Sequence, residues 1–193
     1  MSAELSTRER SVIGATSSVT AMILFVAGEA MFFAAFFAAY FWAKAHAATW
    51  PPKGITPPEK AIPAVLTTIL IISSIVIQFS VRAVRKGRVR SAQRFLLVTI
   101  LLGLCFLGLQ AYDYTRLTFG IKDGIYPSLF YVMTGLHMAH VAGGVILLSI
   151  VGAQSLNRQT GWSRYETLQS AAIYWDFVDV VWICLFIVFY VAR

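Results

Sequence analysis

Residues 26–37 read VAGEAMFFAAFF, eleven apolar or small residues with one glutamate, Glu29, in their midst. The stretch lies within a longer apolar run over about residues 20–43, and that run decides the fold. A hydrocarbon core of about 30 Å is crossed by roughly 20 apolar residues of helix. Four further segments meet the same criterion: about 61–81, 95–112, 125–152 and 167–192. With 58% hydrophobic and 13% charged residues over 193 positions, the chain is too apolar for a water-soluble domain of its size. The expectation is an all-α, polytopic membrane protein: a single domain with a short segment over residues 1–19 followed by a bundle of five transmembrane helices.

The intervening segments carry helix-breaking chemistry. WPPKGITPPEKAIP, residues 50–63, holds five of the six prolines, and Pro63 suits a first helical turn because its missing N–H has no intrahelical partner there. VRAVRKGRVRSAQR is a basic connection, DYTRLTFGIKDG a polar one, and QSLNRQTGWSRYE another. AHA after the first span resembles a signal-peptidase site, but a run of about 24 apolar residues exceeds a signal core of roughly 7–15, so the span is read as permanent. Ten Lys and Arg fall in the segments on the amino-terminal side of the membrane and six in those on the other side. The bias of basic residues towards the cytoplasm predicts a cytoplasmic amino terminus and an external carboxyl terminus. The same residues account for the net charge of +7 as topology and lipid-headgroup contacts, not as a nucleic-acid surface. Cys105 and Cys184 lack C-x-x-C spacing and are read as packing residues. Trp42, Trp50 and Trp162, near span ends, are read as interfacial anchors, whereas Trp175 and Trp182 are read as helix-packing or subunit-contact residues.

Ionisable side chains near a bilayer centre cost at least about 2.5–3.5 kcal/mol each, so they usually face a protein interior and serve function. Five qualify: Glu29, His137, His140, Asp176 and Asp179. None has a Lys or Arg at similar depth, so the acids are protonated or share protons and hydrogen bonds with the histidines. His137 and His140 are three apart and share a face, as do Asp176 and Asp179. Gly135, Ala139 and Gly143 form a small-residue stripe suited to close helix approach. On the first helix, Ala27, Ala34 and Ala38 are expected to make the helix contact, leaving Glu29 to open towards an aromatic-lined cleft. Three chemistries fit this constellation: interhelical hydrogen bonding, a proton-coupled carrier, or a metal site of two His and two or three carboxylates. For the last, no Glu-x-x-His pair of the di-iron type is present.

GEAMFFAAFFAAYFW (28–42), WPPKGITPP (50–58), LQAYDY (109–114), TGLHMAHVAGG (134–144) and YWDFVDVVW (174–182) resemble, in order and spacing, subunit III of the heme-copper terminal oxidases, the cytochrome c oxidase family. The resemblance covers all five spans and is closest to a five-helix bacterial form lacking the first two of seven helices. It implies a non-catalytic subunit in a bacterial cell membrane with no heme or copper of its own, those cofactors residing in partner subunits. It further implies a hetero-oligomer in which the chain packs against catalytic subunit I alongside subunit II, holds phospholipid in a cleft, and supports proton uptake and sustained turnover. Glu29, His137, His140 and Asp179 match family motif positions, and these four together with Asp176 are expected to be lipid-cleft or intramembrane polar contacts. Three positions depart from the pattern: Asp176 stands where the family usually has His, Gln169 where many members have Glu, and Asp113 replaces Glu. A small proton-coupled transporter is the competing class.

Overall fold

The computed structural model describes residues 2–56, 58–156 and 165–192, with side chains from residue 18 onward except at position 156. The expected connection at 157–164, with Arg158, Trp162 and Arg164, lies outside the described residues, as do the side chains of Arg8 and Arg10. Five long helices follow one another: α1 Ser2–His46, α2 Ala61–Arg85, α3 Val89–Thr115, α4 Ile125–Leu156 and α5 Tyr165–Phe186, the last continued by a π-helical turn Ile187–Val191. All five contain stretches long and apolar enough to cross a membrane, and no strand occurs among the described residues. The fold expected from hydropathy is the fold observed. The helices overrun the expected apolar cores, because a helix also satisfies its own backbone hydrogen bonds through the headgroup region. Thus α2 continues to Arg85 and α3 starts at Val89, six residues before the expected 95.

Only Lys86, Gly87 and Arg88 separate α2 from α3. Gly87 has φ +67°, a left-handed conformation open to glycine, and Arg88 N–H returns to the Ala83 carbonyl at 2.9 Å, closing the end of α2. So short a connection forces α2 and α3 to lie antiparallel and in contact, and Ser80 Oγ donates across to the Ala92 carbonyl at 2.8 Å.

Helix α2 packs on α3 and α5, α3 on α4, and α4 on α5, closing a four-helix ring; α1 lies outside it against α5 and α4. Burial follows this plan: 56% of the most apolar window of α5 is buried but only 6% of that of α1. The α1 contact corrects the sequence expectation. Ala27, Ala34 and Ala38 are exposed, and the buried face is the aromatic one carrying Phe33 and Tyr40. The larger side chains gain more dispersion contact against α5 than a methyl stripe would. Likewise Ala139 and Gly143 face outward, and close approach on α4 is made at Gly144, on the histidine side. Trp175 of α5 lies between Gly144 and Gly103 of α3: a Cβ at Gly144 would meet the Trp175 Cε3 at 2.9 Å, and one at Gly103 would meet its Cη2 at 2.7 Å. These two glycines let α3, α4 and α5 close around one indole.

At the other end of the bundle, side chains from α1 and the loop after it engage carbonyls left by the π turn. Trp50 Nε1 donates to the Tyr40 hydroxyl at 2.8 Å, which donates to the Val188 carbonyl at 3.3 Å, and Lys44 Nζ donates to the Ala192 carbonyl at 2.5 Å. Trp42 is exposed and stacks on His46 at 4.4 Å, an arrangement suited to the membrane interface.

Candidate intramembrane polar site

Sequence spacing placed five ionisable residues at similar depth; the structure sorts them into three separate environments. The first joins Glu29 of α1 to His140 of α4, His140 Nε2 lying 3.0 Å from Glu29 Oε2. His140 Nδ1 lies 2.7 Å from the Leu136 carbonyl. A carbonyl only accepts, so Nδ1 carries a hydrogen, and the Nε2 to Oε2 contact then holds a single proton. Whether that proton sits on oxygen or nitrogen, the pair as a whole carries no net charge. This answers the placement of a glutamate in VAGEAMFFAAFF: the pair enters the membrane as one neutral unit. Glu29 and His140 retain 24% and 17% side-chain exposure at the rim of the bundle, with Phe33 edge-on to the imidazole at 5.0 Å. Tyr174 donates to the His140 carbonyl at 3.1 Å, tying α5 to the same turn.

His137 does not share this environment. Three residues along a helix leave about 60° between side chains, enough here to turn His137 into the interior of the ring while His140 faces α1. His137 is fully buried, and its Nε2 donates to the Val178 carbonyl at 3.1 Å. Its ring packs against those of Phe106 and Trp182 at 5.6 and 5.1 Å.

The third group lies between α2 and α5. Asp179 Oδ2 accepts from the Ser74 hydroxyl and lies 3.4 Å from Ser73 Oγ, which donates to the Leu70 carbonyl at 2.7 Å; Asp176 Oδ2 accepts from Gln78 Nε2 at 2.7 Å. The same interface carries Trp175 Nε1 donating to Ser73 Oγ at 2.9 Å and Trp182 Nε1 donating to Thr67 Oγ1 at 3.0 Å. Thr67, Ser73, Ser74 and Gln78 thus meet α5 turn after turn. Sequence reasoning named the two aspartates and passed over these partners. The signal was present: Thr67, Ser74 and Gln78 stand seven and four residues apart in an otherwise apolar span, a spacing that puts them on one helix face as the polar seam of a membrane helix. Gln169 and Asp176, seven residues apart on α5, have no described bond between them.

None of these groups makes a metal or heme site. Among the described residues no cluster of three or more His, Cys, Asp or Glu is placed to hold a metal ion. His140 uses both ring nitrogens within the chain, and the His137 ring is enclosed by aromatic side chains, leaving no room beside it for a porphyrin. The donor set does not fit heme or copper.

Fold and site together define a class: a multi-pass helical membrane protein whose buried polar groups serve contacts between helices. Comparison with known proteins is specific. A sequence profile of the family described as Cytochrome c oxidase subunit III matches residues 10–192. The chain is similar to cytochrome c oxidase subunit 3 of Thermostichus vulcanus, 37% identical over 176 residues covering 90% of this chain and 86% of the relative. It is also similar to the subunit 3 proteins of Rhipicephalus sanguineus, 39% identical over 88% of this chain and 68% of the relative, and Rattus norvegicus, 38% identical over 88% and 67%. The chain belongs to the cytochrome c oxidase subunit III family, and it is therefore a subunit of a hetero-oligomeric heme-copper oxidase.

Proposed function

We propose that this chain is a non-catalytic core subunit of a respiratory oxidase that reduces oxygen to water with proton pumping. In this reading it packs against the catalytic subunit I and accompanies subunit II, which between them hold the heme and copper. Its own residues supply no catalytic group; they hold a helical scaffold, bind phospholipid, and support proton uptake and sustained turnover. The observation that carries the reading is the use of the intramembrane acids and imidazoles. Glu29 with His140, His137 with Val178, and the two aspartates with α2 are all engaged between helices, which favours a static scaffold over a carrier. The Glu29–His140 pair, at the rim of the bundle and partly exposed, is the polar contact of a lipid cleft. Orientation follows the basic residues: amino terminus and the α2–α3 turn on the cytoplasmic side of a bacterial cell membrane.

Purification in mild detergent tests the reading. The chain is expected to co-migrate with a heme-absorbing complex; migration alone, without heme absorbance, supports the transporter class instead. Within the intact complex, Glu29→Ala is expected to leave heme spectra unchanged and to shorten the duration of turnover. Immediate loss of oxygen reduction in an assembled complex contradicts a supporting role.

A further inference from the structure

Between α2 and α5 an open groove of about 440 Å³ runs along the outer surface of the bundle, lined by Ile71, Ile75, Val180 and Ile183 with Arg82 at one end. Asp176 and Asp179 lie in its floor, but Gln78 and Ser74 hold one oxygen of each, and the other oxygens are buried in the protein. What the groove offers an occupant is therefore apolar walls and one cation at its mouth. We propose that this groove binds an anionic phospholipid, its phosphate on the Arg82 guanidinium and one acyl chain lying along Ile75 and Val180 towards Ile71 and Ile183.

Length supports the assignment. Arg82 to Ile71 is eleven residues of α2, about 16 Å at 1.5 Å per residue. One leaflet of the hydrocarbon core is about 15 Å deep. Ile71 lies near the middle of the Ala61–Arg85 span and Arg82 in its last turn, so the groove begins at the headgroup level and ends near the bilayer midplane, the extent of a single acyl chain. A partner helix would instead meet both leaflets.

Charge supports it too. Arg82 is exposed, lies over the Phe79 ring at 5.7 Å and forms no ion pair among the described residues, whereas Arg85 is committed to Tyr165. Lys86, Arg88, Arg90 and Arg94, in the turn and the start of α3, do not line the groove, so Arg82 is the cation available to a headgroup there; one such cation contributes on the order of 1 kcal/mol. Acyl chains gain only packing in a groove that is otherwise filled by other lipid, so the headgroup charge supplies the selectivity.

This inference rests on the lipid-binding part of the proposed function, and the test separates the two. The purified oxidase complex, identified by its heme absorbance, is reconstituted in nanodiscs containing phosphatidylglycerol with a diazirine at the end of one acyl chain. A parallel sample carries the same label on phosphatidylcholine. The phosphatidylglycerol probe is expected to label peptides containing Ile71 and Ile183 about fivefold more than the phosphatidylcholine probe, the factor one arginine supplies. Arg82→Gln is expected to erase that preference, and Ile75→Trp, which fills the groove, to remove labelling there while that at exposed Leu101 of α3 persists. Equal labelling by the two probes, a preference that survives Arg82→Gln, or groove peptides crosslinked to another subunit's helix overturns the proposal. If Arg82→Gln does not assemble, the ratio of the two probes on the unaltered complex decides alone. A chain without a heme-containing complex overturns the functional reading instead.

Discussion

The Glu29–His140 pair makes a quantitative prediction. Because Leu136 fixes the hydrogen on His140 Nδ1, the contact with Glu29 is one hydrogen bond containing one proton. Glu29→Gln supplies an amide N–H to the same Nε2 and keeps the pair neutral, so it is expected to cost less than about 0.6 kcal/mol, the mean for an interhelical hydrogen bond in a membrane protein. Glu29→Ala removes the bond and is expected to cost about 0.6–1.7 kcal/mol, a rise of roughly 3- to 18-fold in the unfolded-to-folded ratio. His140→Leu leaves Glu29 without its partner; the acid must then enter the membrane as a lone neutral carboxyl or face an insertion penalty of at least about 2.5 kcal/mol. The order of destabilisation is therefore Gln below Ala below the histidine deletion. Titration of the purified chain from mild detergent into dodecyl sulfate, followed by tryptophan fluorescence, measures it. Glu29→Gln as damaging as Glu29→Ala would show that the pair is held by charge and not by a shared hydrogen, and would refute the reasoning.

Gly144→Ala and Gly103→Ala each drive a methyl into Trp175, whose indole is pinned by Ser73 and cannot withdraw; overpacking of about 1–3 kcal/mol exceeds the helix-propensity gain of about 1 kcal/mol, and a lower dodecyl sulfate midpoint checks this. Gly103→Ala combined with Trp175→Phe is expected to recover part of that loss in the same titration. Asp179→Asn retains an oxygen acceptor for Ser74 and is expected to be tolerated, whereas Asp179→Leu leaves the Ser74 hydroxyl without it, Ser73 keeping the Leu70 carbonyl, and lowers stability by about 1–2 kcal/mol on the same scale. Cysteines introduced at Lys53 and Lys86, in the connections at opposite ends of α2, are expected to react with an impermeant maleimide from outside and inside the cell respectively; labelling of Lys86→Cys from outside refutes the orientation.

The sequence by itself determined that the chain crosses a membrane and where. Five apolar runs separated by proline-rich, basic and polar segments leave helices as the backbone's means of satisfying its hydrogen bonds in hydrocarbon, and that constraint is local. It also marked the acids and imidazoles as purposeful, since each is costly at its depth. Tertiary structure decided which partner each one meets. Spacing grouped His137 with His140, but a 60° difference in direction sends one into the four-helix ring and the other to α1. Spacing likewise assigned the alanine face of α1 to the bundle, and the aromatic face is buried instead. Membrane helices are apolar all round, so periodicity carries little information about which side faces protein and which faces lipid. That choice is made by shape, as when Trp175 finds Gly103 and Gly144 on two other helices, and by hydrogen-bond partners such as Ser74 and Gln78 that lie about a hundred residues away in the chain.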